Sequence, residues 1–127
     1  MTQTNSQKMA QAAFKELAKA PVDRDFVSFA RGFPTLAHSS GLTQAIAFAK
    51  AKGKKCHQQY LAILTAVLNA GGFGPFGAQT PIEQAACSCD ASEYMRISRG
   101  AFIAADWIKR YAEALAPEPN GDREGRP

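Results

Sequence analysis

The sequence predicts an all-α fold, and three observations carry that expectation. Apolar residues recur at three- and four-residue spacing in one stretch after another. Runs of alternating Val, Ile, Thr and aromatic residues are nearly absent, while Ala is abundant throughout. Gly and Pro stand at the intervals where helices would stop. A chain of 127 residues with 46% apolar content suits one packed domain of five to six helices. That domain is expected over residues 1–116, with the Pro-, Gly- and charge-rich stretch 117–127 as a disordered tail.

The first helix is expected from about Ser6 to Ala20, with Met9, Ala13, Leu17 and Ala20 on one face and Pro21 ending it. A second begins after Asp23, a good N-cap, and carries Phe26, Phe29 and Ala30 until Gly32 and Pro34 break it. A short helical turn over Pro34 to Ala37 leads to Ser39 and Ser40, either of which can cap a third helix bearing Leu42, Ala45, Ile46 and Ala49. Gly53 is its natural stop. The fourth helix, about His57 to Ala70, packs Tyr60, Leu61, Leu64, Val67 and Leu68 and closes at Gly71-Gly72. After a glycine-rich aromatic loop, Thr80 caps a short helix from Pro81 to Cys87, with Pro81 at its first position. The last helix has the clearest pattern. Asp90 and Glu93 suit a capping box, and Tyr94, Ile97, Ala101, Ala104, Ile108, Tyr111 and Leu115 form a seam ending before Pro117. Phe102, Ile103 and Trp107 fall off that seam, so this helix must bury more than one side, in the core or against a partner.

Charge is unevenly spread. The chain is +4, but the 57 residues between Asp25 and Glu83 contain no carboxylate, and a tail of −1 leaves the body at about +5. No stretch approaches the length of a membrane span, and the polar segment Met1 to Gln11 lacks the apolar core of a signal peptide, so the chain reads as cytoplasmic. Three cysteines, Cys56, Cys87 and Cys89, are an odd number and fit reduced thiols better than a disulfide framework.

Catalytic motifs are weak. Gly72, Gly74 and Gly77 spell G-x-G-x-x-G, but they follow a helix rather than a strand, so they read as a loop rather than a dinucleotide site. Cys56, His57, Cys87 and Cys89 lack the paired spacing of structural zinc. His38 and His57 are isolated, and the carboxylates are scattered. The expectation is a non-enzymatic protein with no cofactor and no metal.

The basic residues carry the functional reading. Lys50, Lys52, Lys54 and Lys55 bracket Gly53 with no carboxylate near them in sequence. One or two lysines would complement the end of the third helix; four suit a polyanion. On the last helix, Arg96, Arg99 and Arg110 share a face with Ile103 and Asp106, flanked by Lys109, and suit either RNA backbone or a protein partner. Arg31 completes the candidate RNA-binding set.

Two blocks resemble a known family. Phe33-Pro34, Ser39 to Leu42, Gln44 to Phe48 and Lys50 to Lys52 form the first; Glu93 to Arg96, Ser98-Arg99 and Trp107 to Ala112 form the second. Together they resemble the small subunit of the type III-B CRISPR effector, the Cmr complex, over about residues 7 to 115. Gly100 departs from the pattern, which commonly has an acid there. Glycine in mid-helix costs about 1 kcal/mol relative to Ala and points to close packing. The resemblance implies a non-catalytic helical subunit of antiviral defence. It would stack in several copies as a filament beside the crRNA-binding backbone subunits and the Cas10-type large subunit, along the path of the guide and target RNA. Target cleavage would belong to the backbone subunit and cyclic oligoadenylate synthesis to the large one. Two other readings remain: an architectural spacer with little RNA contact, and a free-standing helical nucleic-acid-binding regulator.

Overall fold

The computed structural model describes residues 3–19, 22–77 and 79–116. Among these residues there are six helices and no strand. The expected end of the first helix at Ala20 and Pro21, and the expected tail 117–127, lie outside the described residues.

Helix α1 (Asn5–Lys19) starts earlier than its apolar pattern suggests, because Thr4 and Gln7 form a reciprocal capping box. The Thr4 hydroxyl accepts from the Gln7 N–H at 3.1 Å, and the Gln7 amide oxygen accepts from the Thr4 N–H at 2.8 Å. Its buried face, Met9, Ala13 and Leu17, packs between α4 (Lys55–Ala70) and α6 (Ala91–Leu115).

Helix α2 (Arg24–Ser40) is capped by Asp23, whose side chain accepts from the Phe26 N–H at 2.8 Å. It does not break at Gly32 and Pro34, as the sequence suggested, but runs straight through them; the separate turn over Pro34 to Ala37 is its continuation. Proline inside a helix forfeits one backbone hydrogen bond and costs about 3 kcal/mol. Here the buried face continues on both sides of it, with Phe26, Val27 and Ala30 before and Phe33 and Ala37 after. Burial of a Phe side chain is worth about 1.5–3 kcal/mol, so tertiary packing offsets the local penalty.

That extension changes the next boundary. Ser39 and Ser40 end α2 and cap nothing: the Ser39 hydroxyl donates back to the Thr35 carbonyl at 2.9 Å. Gly41, at φ 88°, turns the chain directly into α3 (Leu42–Lys52), which has no side-chain cap of its own. Its Thr43 N–H instead donates to the Tyr94 hydroxyl of α6 at 3.2 Å.

Helix α4 begins two residues before the expected His57 and buries Tyr60, Leu64, Val67 and Leu68. Tyr60 forms an aromatic cluster with Phe26, Phe29 and Phe33 of α2. The glycine-rich loop after it is pinned by Asn69, whose side-chain amide makes two hydrogen bonds to the Phe76 backbone, at 2.8 and 3.0 Å. Phe76 is buried beneath it. The glycine motif therefore leaves a helix C-terminus and opens no helix that could receive a pyrophosphate. Helix α5 (Ile82–Ser88) is short. Pro81 is its N-cap rather than its first residue, and Thr80 makes no cap.

Helix α6 begins at Asp90, whose carboxylate accepts from the Glu93 N–H at 2.9 Å. Ile97, Ala101, Ala104, Ile108 and Ala112 are buried along its seam. Trp107, off the seam, docks on α1: its indole N–H donates to the Ser6 hydroxyl at 3.2 Å and its ring stacks on Tyr111. Met95, Phe102 and Ile103 stay exposed. No helix among the described residues is long and apolar enough to cross a membrane.

Candidate nucleic-acid interface

Gly53 makes the junction of α3 and α4 tight. It takes a left-handed conformation (φ 64°, ψ 9°) and its N–H donates to the Ala49 carbonyl, so α3 ends and α4 begins after only Gly53 and Lys54. The junction sets the C-terminus of one helix against the N-terminus of the next. Lys50 and Lys52 fall in the last turn of α3, where cations complement the negative pole. Lys54 and Lys55 fall at the start of α4, where the same charge opposes the positive pole. This helix has no side-chain cap and no acidic residue in its first turn. Each such lysine costs the fold about 0.3–1 kcal/mol at an exposed terminus. In sequence the four lysines form one cluster; the backbone splits them into a pair the fold uses and a pair it tolerates.

The remaining candidates divide as well. Lys50 pairs with Glu83 of α5 at 3.2 Å, so a carboxylate distant in sequence is near it in space. Arg31 pairs with Glu113 at 2.7 Å and Arg110 with Asp106 at 3.1 Å. Arg96 is the most engaged. It binds both oxygens of Glu93, donates to the Phe73 carbonyl at 3.2 Å and lies over the Phe73 ring. The hydrogen bonds that Arg96 donates to Glu93 hold the Glu93 carboxyl below its ordinary range and raise the guanidinium. Lys52, Lys54, Lys55, Arg99 and Lys109 have no ion-pair partner among the described residues. Arg96 is anchored at the C-terminal end of α4 and the lysines at its N-terminal end, roughly 20 Å away at 1.5 Å per residue. Arg96 and the lysines therefore stand at opposite ends of α4.

Beside the lysines lies a cleft of about 380 Å³, walled by Phe29 and Leu36 of α2, Phe48 of α3, Lys54 at the junction, and Cys56 and His57 of α4. Sequence reasoning did not single out Phe48 as a site residue, although its signal was available: Lys52 follows it by four residues on the same helical face, and its ammonium sits 5.5 Å from the ring centre. His57 is buried, with its ring edge-on to Phe29 and its Nδ1 3.7 Å from the Cys56 thiol. Burial, and then Lys54 and Lys52, hold its pKa below the ordinary 6.5, with Asp25 opposing, so His57 is neutral at pH 7. Among the described residues, no three His, Cys, Asp or Glu side chains converge as metal ligands.

Residues 5–115 match the family model described as CRISPR-associated protein (Cas_Cmr5). The chain belongs to the Cmr5 family. It is 32% identical over 118 residues to the CRISPR system Cmr subunit Cmr5 of Thermus thermophilus, covering 91% of this chain and 98% of that protein. The X-ray crystal structure of a Cmr5 family protein from the same organism superposes with a TM-score of 0.74 at 29% identity. That match covers 90% of this chain and 98% of the other. This is the small-subunit family of type III-B CRISPR systems, as the two sequence blocks suggested.

The fold brings the two sequence blocks together. Gly41 and Leu42 of the first meet Tyr94 of the second. A side-chain carbon at Gly41 would stand 3.3 Å from the Tyr94 hydroxyl that receives the Thr43 N–H. Burial raises the Tyr94 pKa, and the hydrogen bonds at the α3 N-terminus outweigh it and bring the hydroxyl below its ordinary value. Gly100 has a packing reason too. A side-chain carbon there would fall 2.8 Å from the Phe73 ring.

Proposed function

We propose that this protein is a non-catalytic small subunit of a cytoplasmic type III-B CRISPR effector complex acting in antiviral defence. In this reading it stacks with copies of itself beside the backbone and Cas10-type subunits, and its α3–α4 junction contacts phosphates of the guide or target RNA. One observation carries the RNA contact: Lys54 and Lys55 stand at an uncapped helix N-terminus with no acidic residue in the first turn. The arrangement opposes the helix dipole and sets exposed cations at the positive pole of a helix, the combination that binds phosphate. Such contacts position a strand without reading its sequence.

The test is the RNA affinity of the assembled complex with Lys50, Lys52, Lys54 and Lys55 replaced by Glu, across a salt series. Each phosphate that the substitutions leave without a cation should flatten the log-log salt dependence by about 0.7 for single strands or 0.9 for duplex. Unchanged affinity and slope would overturn the phosphate contact.

A second reading, the architectural spacer, is favoured by the outer face of α6. Met95, Phe102 and Ile103 are 61%, 37% and 37% exposed around Arg99, which suits a protein neighbour. The two roles use different faces and are compatible. Arg99→Glu should then block incorporation into the complex; normal stoichiometry would remove this face as a subunit contact.

A further inference from the structure

We infer that the cleft between α2, α3 and α4 takes up one unpaired RNA base by stacking, while Lys52 and Lys54 hold the adjoining phosphates at its mouth. The inference rests on the reading that the α3–α4 junction meets RNA, and goes beyond it, since phosphate contact alone needs no cleft.

Three features argue for a base. One wall is aromatic and open: Phe48 is 42% exposed, although its helix buries apolar neighbours elsewhere, and Phe29 also lines the cleft. Aromatic faces interleaved with cations are how single strands are held, because every base presents a π-face. At about 380 Å³ the cleft falls at the small end of ligand sites, room for one base with its sugar outside. His57, only 8% exposed, lines the cleft and has no hydrogen-bond partner beyond the long Cys56 contact. A neutral imidazole there can donate to or accept from a base edge.

The charges set the orientation. Asp25 and Ser28 border the cleft from α2. The Asp25 carboxylate repels a phosphate from that side and accepts from an exocyclic amine; Lys52 and Lys54 stand on the α3 and α4 side. The base therefore enters over the exposed Phe48 ring with its backbone over the lysines. Uptake is tolerant of sequence, because stacking dominates it.

The experiment is an NMR titration of the full chain at low salt, with a single-stranded RNA and with an abasic strand of the same length and charge. The ring signals of Phe29, Phe48 and His57 should shift with the base-bearing strand only, and the abasic strand should bind about fivefold or more weakly. Phe48→Ala should erase the difference between the two strands, and Phe48→Trp should restore it. Equal binding of both strands overturns base uptake and leaves the phosphate contact standing. No response to either strand overturns both, as it would if the cleft took a side chain of a partner protein instead.

Discussion

The two ends of α4 use basic residues in opposite ways. At the C-terminal end, Arg96 is tied to Glu93, to the Phe73 carbonyl and to the Phe73 ring, and that ring fills the space left by Gly100. Its charge is consumed by the fold. At the N-terminal end, Lys54 and Lys55 have no ion-pair partner among the described residues, and the helix pole repels them. Their charge is left over. Residue type alone does not distinguish these cases, because sign is written in the sequence and partnership is created by packing.

Perturbing the packed end should have the largest effect on stability. Gly100→Ala forces its new carbon against the Phe73 ring and disturbs the Arg96 contacts that depend on it. Overpacking of this kind costs about 1–3 kcal/mol, read as a lowered midpoint in urea or heat denaturation. An unchanged midpoint would show that Phe73 yields freely and that the glycine is not required. Tyr94→Phe removes the acceptor that caps α3 and should cost about 0.5–1.5 kcal/mol in the same assay.

Replacing charge at the other end should have the reverse sign. Lys54→Glu and Lys55→Glu each put an anion at the positive pole and should leave the fold as stable or up to about 1 kcal/mol more stable. A loss of stability would mean that these lysines have a role in the fold itself.

The smallest effect concerns His57. Its folded pKa lies below 6.5, so the unfolded chain binds more protons between the two values. Its contribution to stability is complete above about pH 6.5 and is lost as pH falls through that window to the folded value. In His57→Gln the slope of stability against pH between 5 and 7 should flatten; an unaltered slope would show that other groups set it.

Much of the fold was legible, and the failures share a cause. Helices announced by a single apolar face, such as the one carrying Ile97, Ala101, Ala104 and Ile108, came through because periodicity is a local signal. Pro34 and Ser39 misled because local propensity points to a break and a cap there, whereas burial of Phe33 and Ala37 carries α2 onward and a distant tyrosine does the capping. The lysines were visible in sequence. Glu83 beside Lys50, and the cleft that gathers Phe29, Phe48 and His57 from three helices, were not, since each depends on elements brought together only by folding.

The most direct test measures stability and RNA affinity together in the double variant Lys54→Glu/Lys55→Glu. The prediction is a fold at least as stable as the parent, with weaker RNA binding by the assembled complex and a shallower salt dependence. A variant that is destabilised while binding RNA with parental affinity and slope would contradict the claim that these charges belong to the ligand rather than to the fold.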